Sequence, residues 1–296
     1  MEKGLLIYID GKFYPKSDAK VSVYDHGLLY GDGIFEGIRA YDGVVFKLKE
    51  HIDRLYRSAH TIMLQIPLTK NEMIQTVLKT LEKNNLKDAY IRLVVTRGVG
   101  DLGLDPRKCS KPTIIIIAQS MKPLHGVAAK EKGVTTLIAW VKRDPVDATS
   151  HEIKSLNYLN SILAKLEANI GGVDEAICLD KVGFVCEGVA ENIFIVKEKK
   201  LFTPPVSTGA LPGITRNRVM ALAEEMGYAV AERNITPTEL FNADEVFFTG
   251  TAAEIVAVRE VNKRTIGDGK PGPITKRLMQ GFNRIVKDPK EGIKTI

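Results

Sequence analysis

Hydrophobic and polar positions alternate or recur in two distinct ways along this chain. Leu5-Leu-Ile-Tyr-Ile9 and Lys12-Phe-Tyr14 flank Asp10-Gly11, and Ile38-Arg-Ala-Tyr41 and Val44-Val-Phe46 flank Asp42-Gly43. Asp-Gly between short β-rich runs signals a two-residue hairpin, because both turn residues take positive φ. Over residues 49–64 the apolar side chains of Ile52, Leu55, Tyr56, Ala59 and Met63 recur at helical spacing, which predicts a helix. Thr69-Lys-Asn-Glu72 reads as a capping box opening a second helix that runs to about Asn84. Residues 90–96 and 113–118 read as buried strands, and Pro123, Gly126 and Gly133 break the pattern, so residues 119–132 read as a linker. Beyond it the pattern predicts a strand over 134–141, a helix after Lys154 and hairpins turning near Lys181 and Lys199. A helix over 214–226 follows, stopped at Gly227, then a capped helix at Thr236-Pro-Thr-Glu239 and a strand over 245–249.

Hairpins with segregated helices predict an α+β fold in two domains, residues 1–118 and 133–296, joined by the linker. The 296 residues, 44% hydrophobic and 26% charged, fit an ordinary globular protein. No apolar run approaches the roughly 18 residues of a membrane span. The opening Met1-Glu-Lys-Gly-Leu-Leu-Ile-Tyr reads straight into a strand, so a cytoplasmic setting is expected. A net charge of +6 invites a nucleic-acid reading, but Lys and Arg are interleaved with Asp and Glu, which also weighs against a basic binding module. Cys109, Cys178 and Cys186 make no CxxC pair and are expected as reduced thiols. The five histidines are scattered, so no metal site is expected.

Gly31-Asp-Gly-Ile-Phe-Glu-Gly37 has the look of a dinucleotide-binding loop, but residues 38–48 read as a hairpin, and that motif needs a helix to start within it. Gly37 is better explained by close approach of backbone or ligand. Leu211-Pro-Gly-Ile-Thr-Arg-Asn-Arg218 enters a helix whose free N–H groups could bind an anion. Phe248-Thr-Gly-Thr-Ala-Ala253 offers a second turn with hydroxyls. Lys154, among apolar and small residues, could form a Schiff base with an aldehyde cofactor, and Glu187 could face a pyridinium nitrogen. Each has a plainer reading: Lys154 as a surface lysine, Glu187 as a turn carboxylate after Cys186, Arg54 as a solvated charge near Glu50, and Tyr30, Phe35, Tyr90 and Arg92 as core and rim.

Seven segments, taken in order, resemble the class IV aminotransferases, fold type IV enzymes of pyridoxal 5'-phosphate (PLP), and among them the branched-chain amino acid aminotransferases. They are Tyr30-Gly-Asp-Gly-Ile-Phe-Glu-Gly-Ile-Arg39, Glu50-His-Ile-Asp-Arg-Leu55, Ala89-Tyr-Ile-Arg92, Lys154-Ser-Leu-Asn-Tyr-Leu159, Glu187-Gly-Val-Ala-Glu-Asn192, Leu211-Pro-Gly-Ile-Thr-Arg216 and Thr249-Gly-Thr-Ala-Ala-Glu254. The resemblance implies a smaller N-terminal α/β domain and a larger C-terminal one with PLP between them. It implies that Lys154 carries the cofactor as a Schiff base, Glu187 keeps its pyridine nitrogen protonated and Tyr158 bonds its phenolic oxygen. Arg54, the N–H groups of Ile214 and Thr215 and the Thr251 hydroxyl would hold the phosphate.

The same resemblance implies that backbone donors at Gly250, Thr251 and Ala252 receive the substrate carboxylate. Tyr30, Phe35, Gly37 and Tyr90 would line the side-chain pocket, and Arg92 would help admit the second carboxylate of glutamate. Leu102 and Leu104 would reach into a neighbouring subunit, implying a homodimer or a higher homo-oligomer. The implied activity is ping-pong transamination of leucine, isoleucine and valine with 2-oxoglutarate. Gln119-Ser-Met121 stands where some members carry a pocket tryptophan, and Tyr158 follows Lys154 by four residues rather than five. D-amino acid or (R)-amine aminotransferases and aminodeoxychorismate lyases share the fold and are the alternatives.

Overall fold

The computed structural model describes residues 4–121 and 124–295, and of Val127 the backbone alone. The first three residues and Lys122 and Pro123 of the predicted linker lie outside the described residues. The chain divides into two compact units.

The first unit takes the chain up to Met121, Ile153–Asn157 and the chain from Val286. Its elements are β1 (Leu6–Ile9), β2 (Lys12–Pro15), α1 (His26–Tyr30), β3 (Gly33–Tyr41), β4 (Val44–Phe46), α2 (Leu48–Thr61), α3 (Lys70–Lys83), β5 (Ala89–Thr96) and β6 (Thr113–Gln119), with β16 (Gly292–Lys294) closing the chain. The strands form one sheet in the order β16-β4-β3-β5-β6-β1-β2, antiparallel throughout. Both Asp-Gly hairpins are present: Asp10 and Gly11 have φ of 46° and 91°, Asp42 and Gly43 of 50° and 78°. The Thr69 capping box forms as predicted, its hydroxyl accepting from Glu72 N–H while the Glu72 carboxylate accepts from Thr69 N–H.

β3 and β5 decide what this unit can present. Their register pairs Phe35 with Val94, Gly37 with Arg92 and Arg39 with Tyr90. Side chains alternate along a strand, so Phe35, Gly37, Tyr90 and Arg92 share one face. The other face carries Ile34, Ile38, Ala40, Ile91, Leu93 and Val95 into a core with Ile52, Leu55 and Ala59 of α2 and Met73, Val77 and Leu81 of α3. The fully buried Ile, Leu, Val and Met side chains among these contribute about 1.5–3 kcal/mol each.

The second unit takes the chain to Glu152 and Tyr158–Ile285. It holds α4 (Gly126–Lys132), β7 (Val134–Ile138), α5 (Leu159–Ile170), β8 (Glu175–Leu179), β9 (Val185–Gly188), β10 (Asn192–Lys197), β11 (Lys200–Thr203), α6 (Ile214–Glu225), β12 (Val230–Glu232), α7 (Pro237–Phe241), β13 (Glu245–Gly250), β14 (Glu254–Val261), β15 (Arg264–Thr265) and α8 (Pro273–Ile285). Its sheet runs β12-β11-β10-β13-β14-β7-β8-β9, with β15 beside β14. The pairs β11–β12, β14–β7 and β7–β8 are parallel and the others antiparallel. Its core joins Ile177, Val185, Ile193, Ile195, Val246, Phe248, Val256 and Val258.

Three details differ from the sequence reading, the first being that β7 stops at Ile138 rather than running to 141. Residues 126–132, read as linker, form α4, whose Ala129 is buried in the second core; the glycines at 126 and 133 bound a helix there. The domain division is also less simple than a single crossing at 119–132, because 153–157 and the tail group with the first unit. Hydrogen-bond pairing accounts for this: Ile293 of β16 pairs with Val45 of β4, and Ser155 bridges to Ile34 of β3.

Candidate active site

Lys154 lies on a short extended stretch laid along β3. Phe35 N–H donates to Lys154 O at 2.9 Å, Leu156 N–H donates to Gly33 O at 2.9 Å, and Lys154 N–H donates to Ser58 Oγ at 3.1 Å. These bonds fix the backbone, so the lysine side chain starts from a defined place. Its Nζ sits 4.6 Å from the centre of the Phe35 ring. The Arg92 guanidinium lies 4.5 Å from the same ring and donates to Tyr90 Oη at 3.0 Å. A side chain at Gly37 would collide with Tyr90, whose Oη would stand 2.3 Å from an added Cβ. Phe35, Gly37, Tyr90, Arg92 and Lys154 are thus brought together. Tyr30 Oη donates to Leu102 O at 2.5 Å, which ties the loop after Gly100 to α1. Leu102 and Leu104 are 69% and 79% exposed.

Arg54 is not the solvated charge its spacing from Glu50 suggests. It is buried, and its Nε and Nη2 donate to Glu36 Oε1 and Oε2 at 2.7 and 2.8 Å. Glu36 occupies a core-facing position of β3, opposite α2. His51 Nδ1 stands 2.7 Å from Glu36 Oε2. Burial works to raise the Glu36 pKa, but Arg54 and His51 outweigh it and hold the carboxyl down at about 2. Burial keeps His51 below its usual range, and its Nδ1 faces a carboxylate that, ionised, can only accept.

In the second unit Glu187 is likewise not a turn residue. It lies inside β9, buried, paired in register with Cys178 of β8. Its Oε2 accepts from Asn192 Nδ2 at 3.1 Å and from Leu211 N–H at 3.0 Å. Arg143 Nε stands 3.2 Å from Oε1, and His151 Nδ1 3.9 Å from it. Tyr158 precedes α5, its ring 6.5 Å from that of His151. Tyr158, Glu187, His151, Asn192 and Leu211 line one cavity. α6 starts at Gly213 with no side-chain cap, which leaves the N–H groups of Ile214 and Thr215 to an outside acceptor. Gly250 ends β13, and Thr251 and Ala252 form the turn into β14.

Each unit carries groups of the kind a pyridoxal phosphate uses: in the first an amine beside an apolar ring, in the second a buried carboxylate and a helix start without a side-chain cap. A further group of titratable side chains gathers in the second unit. Ligand-type atoms of His125, Glu175 and Glu191 lie within 4.8 Å of one another, and Lys165 Nζ is 3.8 Å from Glu175. Burial works to lower the His125 pKa, and the Glu191 hydrogen bond outweighs it and raises it.

Sequence reasoning missed Glu36, His51, Arg143 and Asn192. Glu36 left a trace, a carboxylate at an inward position of an apolar strand. Arg143, in an irregular stretch after β7, left none.

The amino-transferase class IV family matches residues 33–261. The chain belongs to that family of enzymes. It is 61% identical over 279 residues to a Methanocaldococcus jannaschii protein provisionally assigned as a branched-chain-amino-acid aminotransferase, covering 94% of this chain and 96% of that one. The crystal structure of the Escherichia coli branched-chain amino acid aminotransferase superposes with a TM-score of 0.94 at 38% identity, over 96% of this chain and 95% of that one. The T.th. branched-chain amino acid aminotransferase gives 0.91 at 36% identity, over 98% and 97%, in complexes with N-(5'-phosphopyridoxyl)-L-glutamate and with 4-methylvaleric acid. Among the described residues no helix is long and apolar enough to cross a membrane.

Proposed function

We propose that this chain catalyses PLP-dependent transamination of L-leucine, L-isoleucine and L-valine with 2-oxoglutarate, in two ping-pong half-reactions. One observation carries the reading: the Phe35 ring is flanked by the Lys154 amine at 4.6 Å and the Arg92 guanidinium at 4.5 Å. An amine suited to the proton transfer and a cation suited to a second carboxylate meet the same apolar surface. That is what an enzyme needs if it must take both an aliphatic amino acid and glutamate. A single relative, solved both with N-(5'-phosphopyridoxyl)-L-glutamate and with 4-methylvaleric acid, supports it.

The cofactor, when bound, supplies an electron-accepting ring that lets the substrate Cα–H bond break. Lys154 would hold it, and its free amine would take a proton from the substrate Cα and give it up again. Such general base and acid work is typically worth about 10²–10⁴ in rate. Glu187 holds the proton on the pyridine nitrogen, and Tyr158 bonds the phenolic oxygen. Arg54, the N–H groups of Ile214 and Thr215 and the Thr251 hydroxyl hold the phosphate. Backbone donors at Gly250, Thr251 and Ala252 take the substrate carboxylate. Tyr30, Phe35, Gly37 and Tyr90 enclose the branched side chain, while Arg92 answers the second carboxylate of glutamate. A methylene is worth only about 1–3 kcal/mol in such a pocket, so methionine and phenylalanine are expected as slower substrates.

The reading includes a homodimer in the cytoplasm. Exposed Leu102 and Leu104 support the pairing, as does a row of exposed apolar residues on α5: Leu159, Ile162, Leu163, Leu166 and Ile170. The visible spectrum tests the activity. The purified protein is expected to be yellow, to bleach with L-leucine and to recover with 2-oxoglutarate. A band that answers only D-alanine would move the chain to the D-specific branch, and a protein left colourless after soaking with PLP would overturn the reading.

A further inference from the structure

Arg143 is the bulkiest of the fully buried side chains among the described residues. Its two terminal nitrogens are held by hydrogen bonds, while Nε makes none and faces a carboxylate. Nη1 donates to Asn160 Oδ1 and Ser161 Oγ, both at 3.0 Å, and Nη2 donates to Gly188 O at 2.6 Å, with Val189 O at 3.4 Å. Those acceptors are neutral. The carboxylate that answers the charge is Glu187, whose Oε1 lies 3.2 Å from Nε. A cation inside a protein persists only where such a partner offsets its lost hydration. Burial works against the charge on Arg143, yet Glu187 prevails and the pKa is raised.

A carboxylate facing a pyridine nitrogen shares one proton with it, and that proton can rest on either group. Asn192 and Leu211 favour the ionised carboxylate as neutral donors. His151 stands farther off, at 3.9 Å, and itself leans on Asp144 at 3.2 Å. Arg143 adds a full, permanent positive charge at closer range, and an opposite charge within about 4–6 Å stabilises a carboxylate in its charged form.

We propose that Arg143 is a positioning residue of the reaction: it keeps Glu187 ionised and so places the shared proton on the cofactor's pyridine nitrogen. The proposal rests on the reading of Glu187 as that nitrogen's partner. It makes Arg143 the residue that sets how strongly the bound ring draws electrons, although it touches neither cofactor nor substrate.

The test is the ¹⁵N resonance of the pyridine nitrogen in holoenzyme reconstituted with ¹⁵N-labelled PLP. The unmodified enzyme should show the protonated position, and Glu187→Gln should move it to the unprotonated one. Arg143→Gln should move it the same way with Glu187 still present, whereas Arg143→Lys, which keeps the charge but not the five-donor fork, should leave it near the starting position. The leucine half-reaction of Arg143→Gln should slow by roughly 10–100-fold, a usual cost of losing a group that tunes a site ligand, with little change in KM. A merely structural Arg143 would make Lys and Gln variants alike, and that result overturns the proposal. A Glu187→Gln shift with none in Arg143→Gln also overturns it while leaving the Glu187 reading intact; no shift in Glu187→Gln removes that reading itself. Should no Arg143 variant fold, the ¹³C carboxyl resonance of Glu187 in the unmodified holoenzyme decides, since a protonated Glu187 at neutral pH is incompatible with the proposal.

Discussion

Glu36 stands at a strand position where the alternating pattern calls for an apolar side chain. Its neighbours on that face, Ile34 and Ile38, are wholly buried, and so is Glu36. The charge is tolerable there because Arg54 clasps both carboxylate oxygens while His51 donates to one of them. Removing one partner of a buried pair strands the other charge, typically at about 3–5 kcal/mol. Glu36→Gln is therefore expected to lower unfolding stability by about that amount at neutral pH, read by urea denaturation. The sign with pH follows from the depressed pKa. The folded state holds the Glu36 carboxyl at about 2, against 4.5 for the free group. The stability it contributes is fully present above pH 4.5 and is lost as the pH falls towards 2. The gap between wild type and variant should close over that window; a gap that stays constant would contradict the assignment. Arg54 itself shows why the pair was not legible. Its local spacing points to Glu50, four residues away, while its true partner lies on another element, and nothing in a helical periodicity reports that.

At the scale of elements, what was legible was local. The Asp-Gly hairpins and the two capping boxes at Thr69 and Thr236 involve residues within four positions of each other, and the structure contains all of them. α4 was misread because its bounding glycines look the same in a linker as at helix ends. α5 carries the prediction at this scale. Leu159, Ile162, Leu163, Leu166 and Ile170 recur at helical spacing but are 42–87% exposed. An amphipathic helix normally buries such a row, and the proposed dimer supplies a cover for it. Replacing Ile162 and Leu166 together by lysine should convert a dimer to monomers in analytical ultracentrifugation. A variant that sediments as wild type would place the subunit contact elsewhere.

On the scale of the whole molecule, the α+β class and family membership were legible from ordered motifs, and the chain's two sheets and its match to class IV aminotransferases agree with that reading. The division into units was not, since pairings such as Ile293 with Val45 join residues nearly the whole chain apart. The central claim is that one lysine of 296 residues carries the cofactor, and Lys154 is singled out by its fixed backbone and by its place over Phe35. Borohydride reduction of the yellow protein, followed by proteolysis and mass spectrometry, tests this most directly. A phosphopyridoxyl group is expected on Lys154 alone, and none in a Lys154→Ala variant. A label on another lysine, or an unlabelled Lys154 in protein that turns over leucine, would contradict it.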